Sequence, residues 1–432
     1  MESWLPRAAA LRPDRAALVT PTETLSYAEL LRQAGAMAAT LRQAGIESGD
    51  RIAIALPPGV PFLVALHATF LLGAAAVPID LRLGESERAE RTSSAKLVIE
   101  EAIKGEGSIE PGDIDPNAVA TVIHTSGTTA SPKAVELTYG NWLANARGSA
   151  AALGLDPGER WLCTLPLSHV GGLSILIRSA IYGTTVVLHE RFDAEAVRTA
   201  IVEEAVTVVS LVPTTLERLL DAGLRSPASL RVALVGGAPL TRALAARAKQ
   251  AGIPVAQTYG MTEACSQVTT SAIGEPETAG PPLLGTTVEI AADGEILVAG
   301  PTVAPGATAA DGWLHTGDLG ALDTEGRLIV TGRKADTIVT GGENVAPTEV
   351  ETILLAHPAV ADAGVYGAPD EQWGEAVVAA VVLRAPASEE ELRAHVADQL
   401  ARFKVPKRIA FAEQLPRTPS GKLLRRELRE IG

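Results

Sequence analysis

The sequence predicts an α/β protein in two parts. The first is a large N-terminal domain of mixed, mostly parallel sheets with helices. The second is a small α+β C-terminal domain. Three observations carry this. Short apolar runs alternate with turn residues and helical stretches, the pattern of a largely parallel sheet. The chain has 432 residues, more than a single core usually serves. After about Trp313 the texture changes to short strands and Gly-bearing turns.

The elements follow in order. Arg51 to Leu56 is an apolar run that ends at Pro57-Pro58-Gly59. Ala118 to Ile123 is another, and it runs into a Ser/Thr/Gly loop. Val206 to Val212 is a third, after which Pro213 opens a helical stretch from Thr214 to Leu220. Arg231 to Val235 precedes Gly236-Gly237-Ala238 and an Ala-rich helix. Gly294–Val298 and Thr324–Val330 read as short strands. Gly332 to Asp336 reads as a polar link, which places a domain boundary within Arg333–Asp336. Ser388 and Glu391 form a candidate capping box, with Leu392, Val396, Leu400 and Phe403 following at helical spacing.

Residues 60–79 are apolar enough to need a membrane test. His67, a proline near each end and Asp80 at the exit favour a buried helix followed by a strand. The formal charge of −14 argues against a nucleic-acid or anionic-membrane surface. The two cysteines, Cys163 and Cys265, have no metal spacing, which fits a reducing, cytoplasmic compartment. No basic and apolar leader opens the sequence, so no secretory signal is read there.

The strongest local signal is residues 125–134. Thr125, Ser126, Gly127, Thr128, Thr129 and Lys133 gather hydroxyls, a flexible backbone and a cation after a strand, which suits a polyphosphate. The segment is not a Walker loop, because Pro132-Lys133-Ala134 stands where GK[ST] would be. A Ser/Thr-rich surface turn remains the plain alternative. Tyr259-Gly260-Met261-Thr262-Glu263 joins an aromatic plane to a hydroxyl and a carboxylate able to hold Mg²⁺. Thr316-Gly317-Asp318 offers a carboxylate suited to both hydroxyls of a ribose. Gly332-Arg333 adds a cation, and Arg417 to Lys422 a lysine on a Gly-containing loop.

These strings in this order resemble the adenylate-forming superfamily of acyl- and aryl-CoA synthetases, peptide-synthetase adenylation domains and luciferases. The resemblance runs from about Ala16 to Glu427. It implies the adenylate-forming fold, with residues 1–333 holding ATP and acyl substrate, a hinge at 334–336 centred on Ala335, and a mobile lid at 337–432. It implies that residues 125–133 bind phosphate, and that Gly236, Gly237, Ala238, Tyr259, Gly260 and Met261 flank adenine. Thr262 and Glu263 would face phosphate and Mg²⁺, Asp318 the ribose and Arg333 the nucleotide. Lys422 would serve adenylation. Three departures stand out: Ala130 and Ala134 in the phosphate loop, where glycines are usual; Ala335, where a polar hinge residue is usual; and a compressed stretch between Leu81 and Asn117.

Trp161 to Ser174, Ile181 to His189 and Thr340 to Pro347 are similar to o-succinylbenzoate–CoA ligases of menaquinone synthesis. That likeness implies a ligase using ATP, Mg²⁺ and coenzyme A, with no protein nucleophile. Ser168, Gly171 and Gly172 would line the acyl pocket, and Gly341, Gly342 and Glu343 the coenzyme A tunnel. His169 has two readings: an acyl-pocket residue, or a buried hydrogen-bonded histidine. The alternatives are a generic fatty or aryl acyl-CoA synthetase and an inactive nucleotide-binding homologue. A homodimer is compatible with the sequence.

Overall fold

The computed structural model describes residues 1–110, 112–125, 133–417 and 423–431. Four sheets organise them. The first runs Leu97–Ile99, Arg51–Ile54, Ala75–Pro78, Val119–Thr125 and Lys133–Thr138, parallel until its last strand. The second has eight strands. Its six central ones, Val255–Met261, Val232–Val235, Val208–Leu211, Arg160–Cys163, Thr185–Leu188 and Ala16–Val19, are parallel. Antiparallel strands Ser266–Thr270 and Thr24–Ser26 close its two edges.

The strands Thr185–Leu188, Val208–Leu211 and Val232–Val235 are buried along their whole length, which fits their largely apolar sequence. Pro213 stands at the first turn of the helix Pro213–Asp221, where its missing N–H costs nothing. The helix Val60–Leu71 buries every residue but Pro61, and Ala75–Pro78 follows as a strand. Among the described residues no helix is long and apolar enough to cross a membrane.

The third sheet is an antiparallel meander of Thr287–Ile290, Glu295–Ala299, Leu314–Leu322 and Leu328–Arg333. The change of texture therefore begins near Thr287, earlier than the sequence suggested. Gly332 and Arg333 are not part of a link either. They end a strand, because Arg333 is in register with Asp318 and Gly332 with Leu319. A single 3₁₀ turn, Lys334–Asp336, follows.

The small C-terminal domain packs helices Pro347–Ala356 and Glu389–Ala397 on a sheet built around Val360–Asp370 and Gly374–Leu383. Its core includes Val350, Leu354, Val365, Val377, Leu392 and Val396. Ser388 accepts the Glu391 N–H at 3.1 Å and caps the second helix. That helix stops at Ala397, so Leu400 and Phe403 lie beyond it, still packed on the same core.

Candidate active site

The parallel strands of the second sheet end side by side, and the segments beyond those ends carry most of the sequence motifs. Arg160–Cys163 leads to Ser168 and His169, Val232–Val235 leads to Gly236-Gly237-Ala238, and Val255–Met261 itself carries Tyr259, Gly260 and Met261. Such carboxyl edges are the usual ligand sites of open α/β sheets. Close approach fixes the residue type here. A Cβ on Gly236 would sit 2.7 Å from Thr258 Cγ2, and one on Gly172 2.4 Å from the Pro166 carbonyl oxygen. A Cβ on Gly260 would lie 1.7 Å from the Ser266 carbonyl oxygen. Cys265 and Ser266, just beyond the Thr262–Ala264 turn, hold φ of 54° and 89°. That is a strained backbone beside Thr262 and Glu263.

Three sheets converge. The first brings Thr125 opposite Lys133 in register, where the Thr125 hydroxyl donates to the Lys133 carbonyl at 3.3 Å. The Thr262–Ala264 turn packs against that same Lys133–Thr138 strand, so Glu263 lies beside it. The third sheet supplies Asp318, nearly buried. Arg333 Nε meets Asp318 Oδ1 at 2.7 Å, and the Tyr259 hydroxyl donates to Oδ2 at 2.9 Å. Burial first, and then the Asp318 carboxylate, push the Tyr259 phenol far above its ordinary pKa, so it remains a donor. Ser126, Gly127, Thr128, Thr129 and Lys422 lie outside the described residues.

His169 begins the helix Val170–Tyr182 as its N-cap, with Gly171 and Gly172 in the first turn. It is exposed and makes no side-chain cap, which differs from the buried, hydrogen-bonded reading. Surrounding protein still desolvates the imidazolium and lowers its pKa. Asp80 pulls it up, and Arg82 and Arg91 push it down. Gly341 and Gly342 form the two-residue turn between Ile338–Thr340 and Glu343–Val345, both at positive φ (60° and 83°). Gly341 donates its N–H to the Trp373 carbonyl at 2.8 Å, so this turn is held within the C-terminal domain.

Sequence reasoning missed Glu295, His315 and Lys334. Glu295 Oε1 accepts the Gly317 N–H at 2.8 Å, and Oε2 meets Lys334 Nζ at 2.9 Å and His315 Nδ1 at 3.3 Å. Burial raises the Glu295 pKa, but hydrogen bonds from Lys334, Gly317 and His315 together outweigh it and leave the carboxyl below its ordinary value. The only sequence signal was a lone acid at the start of an apolar strand. Among the described residues no group of three or more His, Cys, Asp or Glu could hold a metal. Glu263, a single partly exposed carboxylate, fits Mg²⁺ held chiefly by phosphates and water.

The family model "AMP-binding enzyme" matches residues 5–110 and 95–307, and "AMP-binding enzyme C-terminal domain" matches 349–422. The 2-succinylbenzoate–CoA ligase of Bacillus licheniformis is 40% identical over a 472-residue alignment covering 99% of both chains. The o-succinylbenzoate coenzyme A synthetase of Bacillus subtilis, solved with ATP and magnesium ion, superposes with a TM-score of 0.90 at 39% identity, covering 99% of each chain. The same protein solved with its acyl-adenylate intermediate gives 0.89 at 39% identity, covering 99% of this chain and 98% of the other.

Proposed function

Because this chain belongs to the AMP-binding enzymes, among the 2-succinylbenzoate–CoA ligases, we propose that it joins 2-succinylbenzoate to coenzyme A at the expense of ATP. In the first step the substrate carboxylate attacks the α-phosphate, giving the acyl-adenylate and pyrophosphate. In the second the thiol of coenzyme A attacks the acyl carbon and AMP leaves. No protein nucleophile is required, since the adenylate is already activated. Burial leaves both thiols protonated: Cys163 is pushed up to about 12 and Cys265 further.

Each residue then has a task. Asp318 receives the ribose hydroxyls, with Tyr259 and Arg333 fixing its carboxylate. Gly236, Gly237, Ala238, Gly260 and Met261 let backbone approach the adenine. Residues 125–129, Lys133 and Thr262 bind phosphate. Glu263 would hold Mg²⁺, which when bound offsets phosphate charge. Lys422 supplies a cation where negative charge builds up in the first step. Ser168, His169, Gly171 and Gly172 border the acyl group. Residues 1–333 form the adenylation domain, 334–336 the hinge and 337–432 the lid, which would turn to bring Gly341, Gly342 and Glu343 to coenzyme A. The reaction would take place in the cytoplasm.

The observation that carries this reading is the Asp318 carboxylate, held by Tyr259 and Arg333 at the carboxyl edge of the second sheet. The test is mass spectrometry of the products from ATP, coenzyme A and 2-succinylbenzoate, beside a panel of fatty and aryl acids. Faster thioester formation from a fatty acid would overturn the substrate and leave the two-step chemistry standing.

A further inference from the structure

Glu295 sits where two functional segments meet. It opens the strand Glu295–Ala299 and is 6% exposed. One oxygen holds the N–H of Gly317, the residue before Asp318. The other meets Lys334, the first residue after Arg333, and Lys334 also pairs with Asp293 at 2.6 Å. Two residues on, Asp336 faces the opposite way. It lies 3.6 Å from Arg425, which pairs at 2.8 Å with the buried Glu351 of the C-terminal domain. The two neighbours of Ala335 are thus anchored in different domains.

We propose that Glu295 is a positioning residue of the ligase, whose single carboxylate holds the turn carrying Asp318 and, together with Asp293, pins Lys334, so that domain rotation is confined to Ala335. This rests on reading Asp318 as the ribose ligand and 334–336 as the hinge. A nearly buried carboxylate needs several donors to offset its desolvation. Here those donors come from the ribose side and the hinge side at once. With Lys334 unpinned, the swivel spreads over several residues and the lid arrives less accurately for the second step.

The test measures the two half-reactions separately: pyrophosphate release with ATP and 2-succinylbenzoate, and consumption of pre-made acyl-adenylate by coenzyme A. Lys334→Met removes the hinge contact and leaves Gly317 held. It is expected to keep the ATP KM within about twofold while slowing the second half-reaction at least about fivefold relative to the first. Glu295→Gln leaves the Asp293–Lys334 pair in place, so it should shift the ratio the same way but less, and in addition raise the ATP KM about tenfold. Ala335→Pro serves as the hinge control and should depress the second half-reaction.

If Ala335→Pro behaves so while the other two variants leave ratio and KM unchanged, the proposal falls. It falls equally if both half-reactions drop by the same factor along with the unfolding midpoint. A changed ratio without a changed ATP KM in Glu295→Gln overturns the link to Asp318. An inert Ala335→Pro overturns the hinge reading, and the hinge half of the proposal with it.

Discussion

The Tyr259 hydroxyl and the Asp318 carboxylate are joined at 2.9 Å, although one belongs to the last parallel strand of the second sheet and the other to an antiparallel meander. With Arg333 on the remaining oxygen, the carboxylate is already oriented before nucleotide arrives. In the proposed reading, a ribose would meet a pre-aimed acceptor and bear little of the cost of ordering it.

Asp318→Asn tests that role. The amide cannot accept two hydroxyls with the strength of a charge-assisted bond, a loss of roughly 1.5–3 kcal/mol. The ATP KM of pyrophosphate release should rise about tenfold to a hundredfold. An unchanged KM with a lowered kcat would remove Asp318 from ribose binding.

Lys422→Ala should nearly abolish adenylate formation and spare thioester formation from pre-made acyl-adenylate. One well-placed charge in a transition state is worth about 3 kcal/mol, a hundredfold or more in rate. Equal loss of both half-reactions would refute a lysine that acts in one step alone.

Two glycine substitutions should differ sharply. Gly260→Ala drives a Cβ to 1.7 Å from a backbone oxygen of the neighbouring strand, so the pairing must break or shift. We expect a loss of over about 3 kcal/mol or failure to fold. Gly342→Ala meets open space but φ of 83°, so strain of about 1–2 kcal/mol is expected. Urea unfolding midpoints would show the order, and a reversed order would refute both arguments.

His67 is enclosed in the helix Val60–Leu71, and burial lowers its pKa from the ordinary 6.5 to about 4. The unfolded chain therefore binds a proton that the folded one refuses. Stability from this group is full above pH 6.5 and drains away as pH falls toward 4, a total of about 3 kcal/mol. His67→Leu should flatten the fall in unfolding free energy over that window. An undiminished slope would show that other histidines dominate it.

Legibility followed range. Pro213 and the alternating apolar runs declared their elements because the signals are local. Thr125 and Lys133 are near in sequence and face each other in register on neighbouring strands. Arg333 read as link because its strand identity rests on pairing with Asp318, fifteen positions earlier, rather than on its own neighbours. Glu295 was silent for the same reason: its partners Gly317 and Lys334 come from two other segments. Leu400 and Phe403 kept helical spacing yet left the helix, because contact with the core needs apolar side chains and not a continued helix.

The helix Val60–Leu71 has one more consequence, felt before the protein is finished. It is buried on every face, and its neighbours include the earlier helix Tyr27–Gln43 and the flanking strands Arg51–Ile54 and Ala75–Pro78. On the ribosome it emerges before Val119–Thr125 can pair with Ala75–Pro78. Until then a newly made segment resembling a membrane anchor is sheltered mainly by the residues synthesised just ahead of it. Nascent chains halted near residue 100 are therefore the stage at which this protein should draw chaperones or aggregate.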